Sequence, residues 1–291
     1  MSDSTITMDL YADFSTNCAA ALVSAGYAAP TGSAEEMIRA YVNVRHRRVP
    51  VRPRNVHKAT YKVPTDLATG ESTFLSKVGA GDDLRPYQST RLERVDFNDG
   101  MLNDFGIQHF HLGMAPHPTK SGFMERTDPV LFGMVREDDF YSLGCYHHGD
   151  WSKTVALDII HANWPDVLER YSIKDAQLTQ TYTDEEVGEL RKAGINPLTQ
   201  RPDSTVHMGP GGGVTTAKTS AQVARDMAAI RRLCNDLERS LTDEIEGLIA
   251  AGMLSAPVSV KLEQRQGRTY AVMDDGKHEA DLNQQLVVPT I

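Results

Sequence analysis

A chain of 291 residues that is 40% hydrophobic and 24% charged has the make-up of a folded globular protein, long enough for one large domain or two ordinary ones. Its formal net charge of −9 excludes a generic nucleic-acid coat, because phosphate binding rests on clustered Lys and Arg. No run approaches the roughly 20 apolar residues of a membrane helix, and three scattered cysteines, Cys18, Cys145 and Cys234, fit a reducing, cytoplasmic setting better than a disulfide framework.

The opening MSDSTITMDLYADF has no basic segment followed by an apolar run, so no secretory leader is expected. Leu10, Phe14, Cys18, Ala21, Leu22 and Ala25 recur at helical spacing and predict a helix over 8–26, stopped by Gly26 and Pro30. Ser33-Ala34-Glu35-Glu36 reads as a capping box opening a second helix through Met37, Ile38, Tyr41 and Val44. That helix runs into the stretch from Arg45 to Arg54, with five arginines in ten residues. The stretch reads either as a solvated, ion-paired linker or as a strip that contacts phosphates. Prolines at 30, 50, 53 and 64 set off residues 1–65 as a helical N-terminal lobe. A short helix over 66–79 follows, and Gly79 to Asp83 breaks it.

The middle of the chain changes period. Ile107 to Leu112 alternates apolar with polar residues and predicts a strand. Pro129–Val135 and Phe140–Tyr146, joined by the acidic turn Glu137-Asp138-Asp139, predict an antiparallel hairpin. Thr154 to Trp164 is helical. Thr183-Asp184-Glu185-Glu186 is a second capping box, with Gly194 as the stop. The glycine loop Gly209-Pro210-Gly211-Gly212-Gly213 precedes a long helix over 220–251. Two or three short strands around Asp274-Asp275-Gly276 close the chain. The expected fold class is α+β: a small antiparallel sheet core flanked by N-terminal helices and a long C-terminal helix. The expected segments are 1–65, a histidine-rich core at 66–182, and a C-terminal helical part with short terminal strands at 183–291.

The chemistry concentrates at 105–165. His109 and His111 stand two apart in a predicted strand and so share a face, where imidazoles move protons, contact phosphate or bind a metal together. His147 and His148 end the predicted hairpin. Extended neighbours point to opposite faces, so one of them joins His109 and His111, and the looser position favours His148. Trp164 is expected to pack its helix on the sheet, with His161 at the helix C-terminus. The glycine loop lacks a P-loop or dinucleotide frame and reads as a turn or lid, with an anion cradle as the other reading. Cys145, inside a strand, is expected to be a buried, inert thiol.

The stretch from Arg126 through Val135, the Asp138-Asp139 turn and Phe140 to His148 resembles the core of RelE-type ribonuclease toxins. In that comparison His109-Phe110-His111-Leu112-Gly113 corresponds to the preceding strand. The resemblance covers about 40 of 291 residues and implies metal-free RNA cleavage. Arg126 is then the phosphate-holding group, His148 the proton-transfer group and Tyr146 a stacking or hydroxyl partner, while His109 and His111 act in acid–base or phosphate contacts. This chain is longer and more acidic than that family, so its flanks read as a regulatory or neutralising part. The overall arrangement also resembles bacterial and phage-conflict proteins. Two other readings stay open. One is a metal-dependent hydrolase with His109, His111 and His148 as ligands of a divalent transition metal such as zinc. The other is a non-enzymatic interaction protein that forms a homo-oligomer through helix 220–251.

Overall fold

A computed structural model describes residues 6–282, 285–289 and 291. In chain order its elements are β1 (Ile6–Thr7), α1 (Leu10–Ser24), α2 (Ala34–Arg47), β2 (Asn55–Lys58), α3 (Ala68–Ala80), α4 (Gly100–Phe105), β3 (Ile107–Phe110), β4 (Val130–Val135), β5 (Asp139–Tyr146), α5 (Val155–Asn163) and α6 (Pro165–Glu169). Then follow β6 (Ser172–Ile173), α7 (Asp184–Ala193), β7 (Thr199–Gln200), β8 (Val206–His207), α8 (Ala221–Ala250), β9 (Val258–Arg265), β10 (Arg268–Met273) and β11 (Glu279–Asp281). The class is α+β, with small sheets and a long C-terminal helix. No helix among the described residues is long and apolar enough to cross a membrane.

The chain divides into two compact units: the residues through Val44 with those from Arg225 on, and Arg45–Ala224. The expected junctions at 65/66 and 182/183 both fall inside the second unit. In the first unit, β1 pairs in parallel with β9, and β9, β10 and β11 form an antiparallel meander. The helical stripe Leu10, Phe14, Cys18 and Leu22 is buried, and Leu262 N–H donates to Asp13 Oδ2 at 2.9 Å, tying α1 to the sheet. Both capping boxes form. Ser33 N–H donates to Glu36 Oε2 (2.7 Å), and at α7 Thr183 N–H donates to Glu186 Oε2 (2.8 Å) while Glu186 N–H donates to Thr183 Oγ1 (3.2 Å).

The second unit is built on a four-stranded sheet in the order β2-β5-β4-β3. The expected hairpin is β4–β5, and β3 extends it antiparallel. The sheet is mixed, because β2 adds in parallel to β5 at the edge. Alternation sorts the side chains to two faces. Phe110, Leu112, Leu131 and Phe140 bury against Phe74 and Val78 of α3. Ile107, Val130, Phe132, Met134 and Leu143 bury against Ala156, Leu157 and Ile160 of α5. Trp164 packs its edge on Tyr141, with ring centroids 4.9 Å apart, as the helix-on-sheet expectation required.

Three of the five arginines in the arginine-rich stretch are held by partners within the protein. Arg47 and Arg54 are buried and donate to backbone carbonyls: Arg47 to Arg91 O (3.1 Å) and Arg94 O (2.6 Å), Arg54 to Arg136 O (2.9 Å) and Pro50 O (3.0 Å). Arg52 pairs with Glu137 (2.9 Å) and Asp138 (2.6 Å). The glycine loop is no anion cradle. Gly211 N–H donates to Asp104 O (2.8 Å) and Gly213 N–H to Asn103 O (2.7 Å), so these amides satisfy carbonyls at the end of α4. A Cβ on Gly211 would stand 2.1 Å from Leu102 O, and only glycine permits that approach.

Candidate functional site

The register of the hairpin assembles the site. Near the turn Val135 faces Phe140 and Gly133 faces Ser142; beyond a one-residue bulge Phe132 faces Gly144 and Val130 faces Tyr146. Leu143 is the extra residue, and Gly144 carries the bulge at φ +140°, a conformation that favours glycine. Continued past the strand ends, the shifted register sets Asp128 opposite His148. Without the bulge, Asp128 would face His147.

The contacts follow that register. His148 N–H donates to Asp128 Oδ1 at 3.0 Å, and His148 Nδ1 lies 3.4 Å from the same oxygen. The backbone N–H of His148, with the side-chain bonds of both histidines, holds the Asp128 carboxyl below its usual range. His148 Nε2 faces the other way, 3.4 Å from Arg126 Nη2. A guanidinium has no acceptor. With Arg126 donating to Nε2 and Asp128 beside Nδ1, the neutral His148 ring carries its proton on Nδ1 and offers the Nε2 lone pair. This is the orientation a carboxylate–imidazole pair gives a general base. His147 also reaches Asp128, 3.3 Å from Nδ1, but its side chain is 73% exposed against 33% for His148.

His109 and His111 share the sheet face that the period-2 reading assigned, with ring centroids 5.8 Å apart. The His148 ring stacks on His111 at 5.4 Å and 23°, and stands 6.3 Å from His109. Burial, reinforced by nearby positive charge, pushes both His109 and His111 down to about 3, so both are neutral at neutral pH. Thr127 N–H donates to His111 Nδ1 at 3.1 Å, and His111 Nε2 is buried without a partner among the described residues. These two imidazoles form a neutral polar wall behind His148. Only His111 and His148 are stacked; the His109 ring stands near-perpendicular to both, at 87° and 73°. Among the described residues no three His, Cys, Asp or Glu side chains gather as a metal-binding group.

Tyr146 stands apart. Its ring stacks on Phe132 at 4.4 Å, and burial pushes its hydroxyl up to about 12. It packs with the hydrophobic core rather than with His148. Cys145 is half-buried rather than buried as expected, and burial pushes its thiol up to about 11. His161 lies elsewhere, paired with Asp203 at 3.0 Å.

A cavity of about 890 Å³ opens in front of these residues. His109, Arg126, His148 and Trp151 line one side, and Arg91, Phe97, Asp99 and residues of α7 line the rest. Trp151 packs on His109 at 4.6 Å and on Phe132 at 5.8 Å. The sequence reading did not reach Asp128, Arg91, Asp99 or α7 as parts of this site. Asp128 lies opposite His148 only because of the bulge at Gly144. α7 is held here by the buried pair Arg191–Asp104 (2.8 Å), and Arg191 Nη1 also donates to Trp151 O (2.7 Å).

Compared with protein families, curated proteins and solved structures, the chain matches none of them.

Proposed function

We propose that the second unit is a metal-free phosphodiesterase acting on RNA, with His148 as general base. The observation that carries this reading is the line Asp128–His148–Arg126 at the mouth of a ligand-sized cavity. A carboxylate fixes the imidazole tautomer, the Nε2 lone pair faces the Arg126 guanidinium, and both residues line the cavity. In the substrate complex Arg126 turns its donors to the phosphate. His148 Nε2 takes the proton of the ribose 2′-hydroxyl, the 2′ oxygen bonds to phosphorus, and the bond to the 5′ oxygen breaks. The 5′ oxygen takes a proton from water, and His148 returns its own to solvent. Arg126, with Arg91 also on the cavity lining, stabilises the charge that builds on the non-bridging oxygens. Neutral His109 and His111 keep the base from facing two further cations.

The test pairs a short RNA with its 2′-deoxy counterpart, each incubated with the full chain in excess chelator. The reading expects a 2′,3′-cyclic phosphate product from the RNA alone. Cleavage of both substrates, or cleavage that needs added metal, would overturn it.

A further inference from the structure

The charges around the cavity say how much nucleic acid it takes. Two ion pairs on its wall cancel: Lys192–Glu189 at 2.7 Å and Arg191–Asp104 at 2.8 Å. Arg91 rests over the Phe97 ring at 5.1 Å, and Arg126 donates to Thr90 Oγ1 and lies 3.4 Å from His148 Nε2. Neither guanidinium meets a carboxylate among the described residues. With Lys218 they make three unpaired cations on the lining, against the two carboxylates Asp99 and Glu185. The surplus is about one positive charge, and it sits at the Arg91–Arg126 end, beside the proposed base.

A groove for a long strand needs a basic track that follows successive phosphates. Here α7 contributes part of the wall, and from its acidic first turn Glu185 lines the cavity. The volume agrees with the charge, since about 890 Å³ is at the upper end of the roughly 300–1,000 Å³ typical of small-molecule pockets.

We infer that the cavity is a single-phosphate site of one- to two-nucleotide size, so that its substrate is a short or chain-terminal phosphodiester rather than the interior of a long RNA. This inference rests on the proposed function for its chemistry but not for its binding. Arg91 and Arg126 hold the one phosphate, and Glu185 turns away a second.

Trp151 lines the cavity and Trp164 does not, and these are the two tryptophans of the chain. In the full-length W164F variant, Trp151 fluorescence therefore reports on the site. The ligands are inorganic phosphate, a mononucleotide, a dinucleoside monophosphate and a long single-stranded RNA. The expected result is saturable quenching by the mononucleotide and the dinucleoside monophosphate. Their affinity should fall only about three-fold between 50 and 200 mM salt, the slope of one phosphate. Arg91→Gln, on an exposed side chain, should weaken it at least ten-fold, with unchanged circular dichroism. Long RNA should bind no more tightly than the dinucleoside monophosphate. Tighter binding with RNA length, a salt slope of several phosphates, or no response to the small ligands would overturn the inference. Small-ligand binding without any cleavage would leave it standing and sink the proposed reaction. Cleavage of long RNA at interior positions without small-ligand binding would do the reverse.

Discussion

Gly144 decides which histidine stands opposite Asp128 in the register, and its replacement by alanine separates fold from site. The residue holds φ +140°, which costs a residue with a side chain about 1–3 kcal/mol. An added Cβ would stand 3.3 Å from Tyr146 Cε2, a contact that asks the ring to give by a few tenths of an ångström. Gly144→Ala should therefore lower stability by about 1–3 kcal/mol, roughly a 5- to 150-fold change in the unfolding equilibrium. The strand can relieve that strain by losing the bulge. It then carries the Val135–Phe140 register through to its end and sets His147, not His148, opposite Asp128. Both tryptophans lie in this unit, so urea unfolding followed by their fluorescence reads the stability term. Turnover at a temperature where the variant is fully folded reads the site. The expected result is a loss of activity well beyond the fraction unfolded. A variant with wild-type midpoint and wild-type activity would refute both the strain and the register argument.

Arg191→Met should destabilise the protein by about 3–5 kcal/mol, since it strands a carboxylate that is 3% exposed. Asp104→Leu combined with Arg191→Met should return to within about 1 kcal/mol of wild type, and urea midpoints of the single and double variants check the pair. Burial outweighs Arg191 at Asp104, so its carboxyl is raised. The deficit of Arg191→Met should accordingly shrink as pH falls toward the carboxylate range, where the stranded group gains its proton. His109 and His111 titrate at about 3 in the fold against 6.5 when unperturbed. Depressed values mean that their contribution to stability is complete above about 6.5 and is lost as pH falls toward 3. His109→Gln should flatten the decline of the urea midpoint between pH 7.5 and 4.5, and an unchanged slope would contradict the burial argument.

The sequence carried the helices and the hairpin because their signals are periodic and local. Leu10, Phe14, Cys18 and Leu22 mark one helical stripe, and two capping boxes announce two helix starts. β2 escaped notice for the opposite reason. Asn55–Lys58 is an edge strand with mostly exposed side chains, held by backbone bonds to β5, so it shows no apolar alternation. α4 is only six residues long, less than two turns, and gives no period to read. The placement of His109, His111 and His148 on one wall followed from alternation. Asp128 did not, because its contact with His148 depends on a one-residue register shift that spacing alone does not reveal. For Arg47, Arg52 and Arg54 the ion-paired linker and the phosphate strip both stayed open, because composition shows charge but not partners. Their bonds go to carbonyls and carboxylates far along the chain.

The central claim is that His148, held by Asp128 and flanked by Arg126, performs the proton transfer without metal. The most direct measurement is the single-turnover cleavage rate of a dinucleoside monophosphate in excess chelator, comparing wild type with His148→Ala and Arg126→Gln. The account predicts measurable cleavage by the wild type and a loss of about 10²- to 10⁴-fold in His148→Ala, the usual range for removing a general base. It predicts a comparable loss in Arg126→Gln. A His148→Ala protein that is folded and cleaves at the wild-type rate would contradict it.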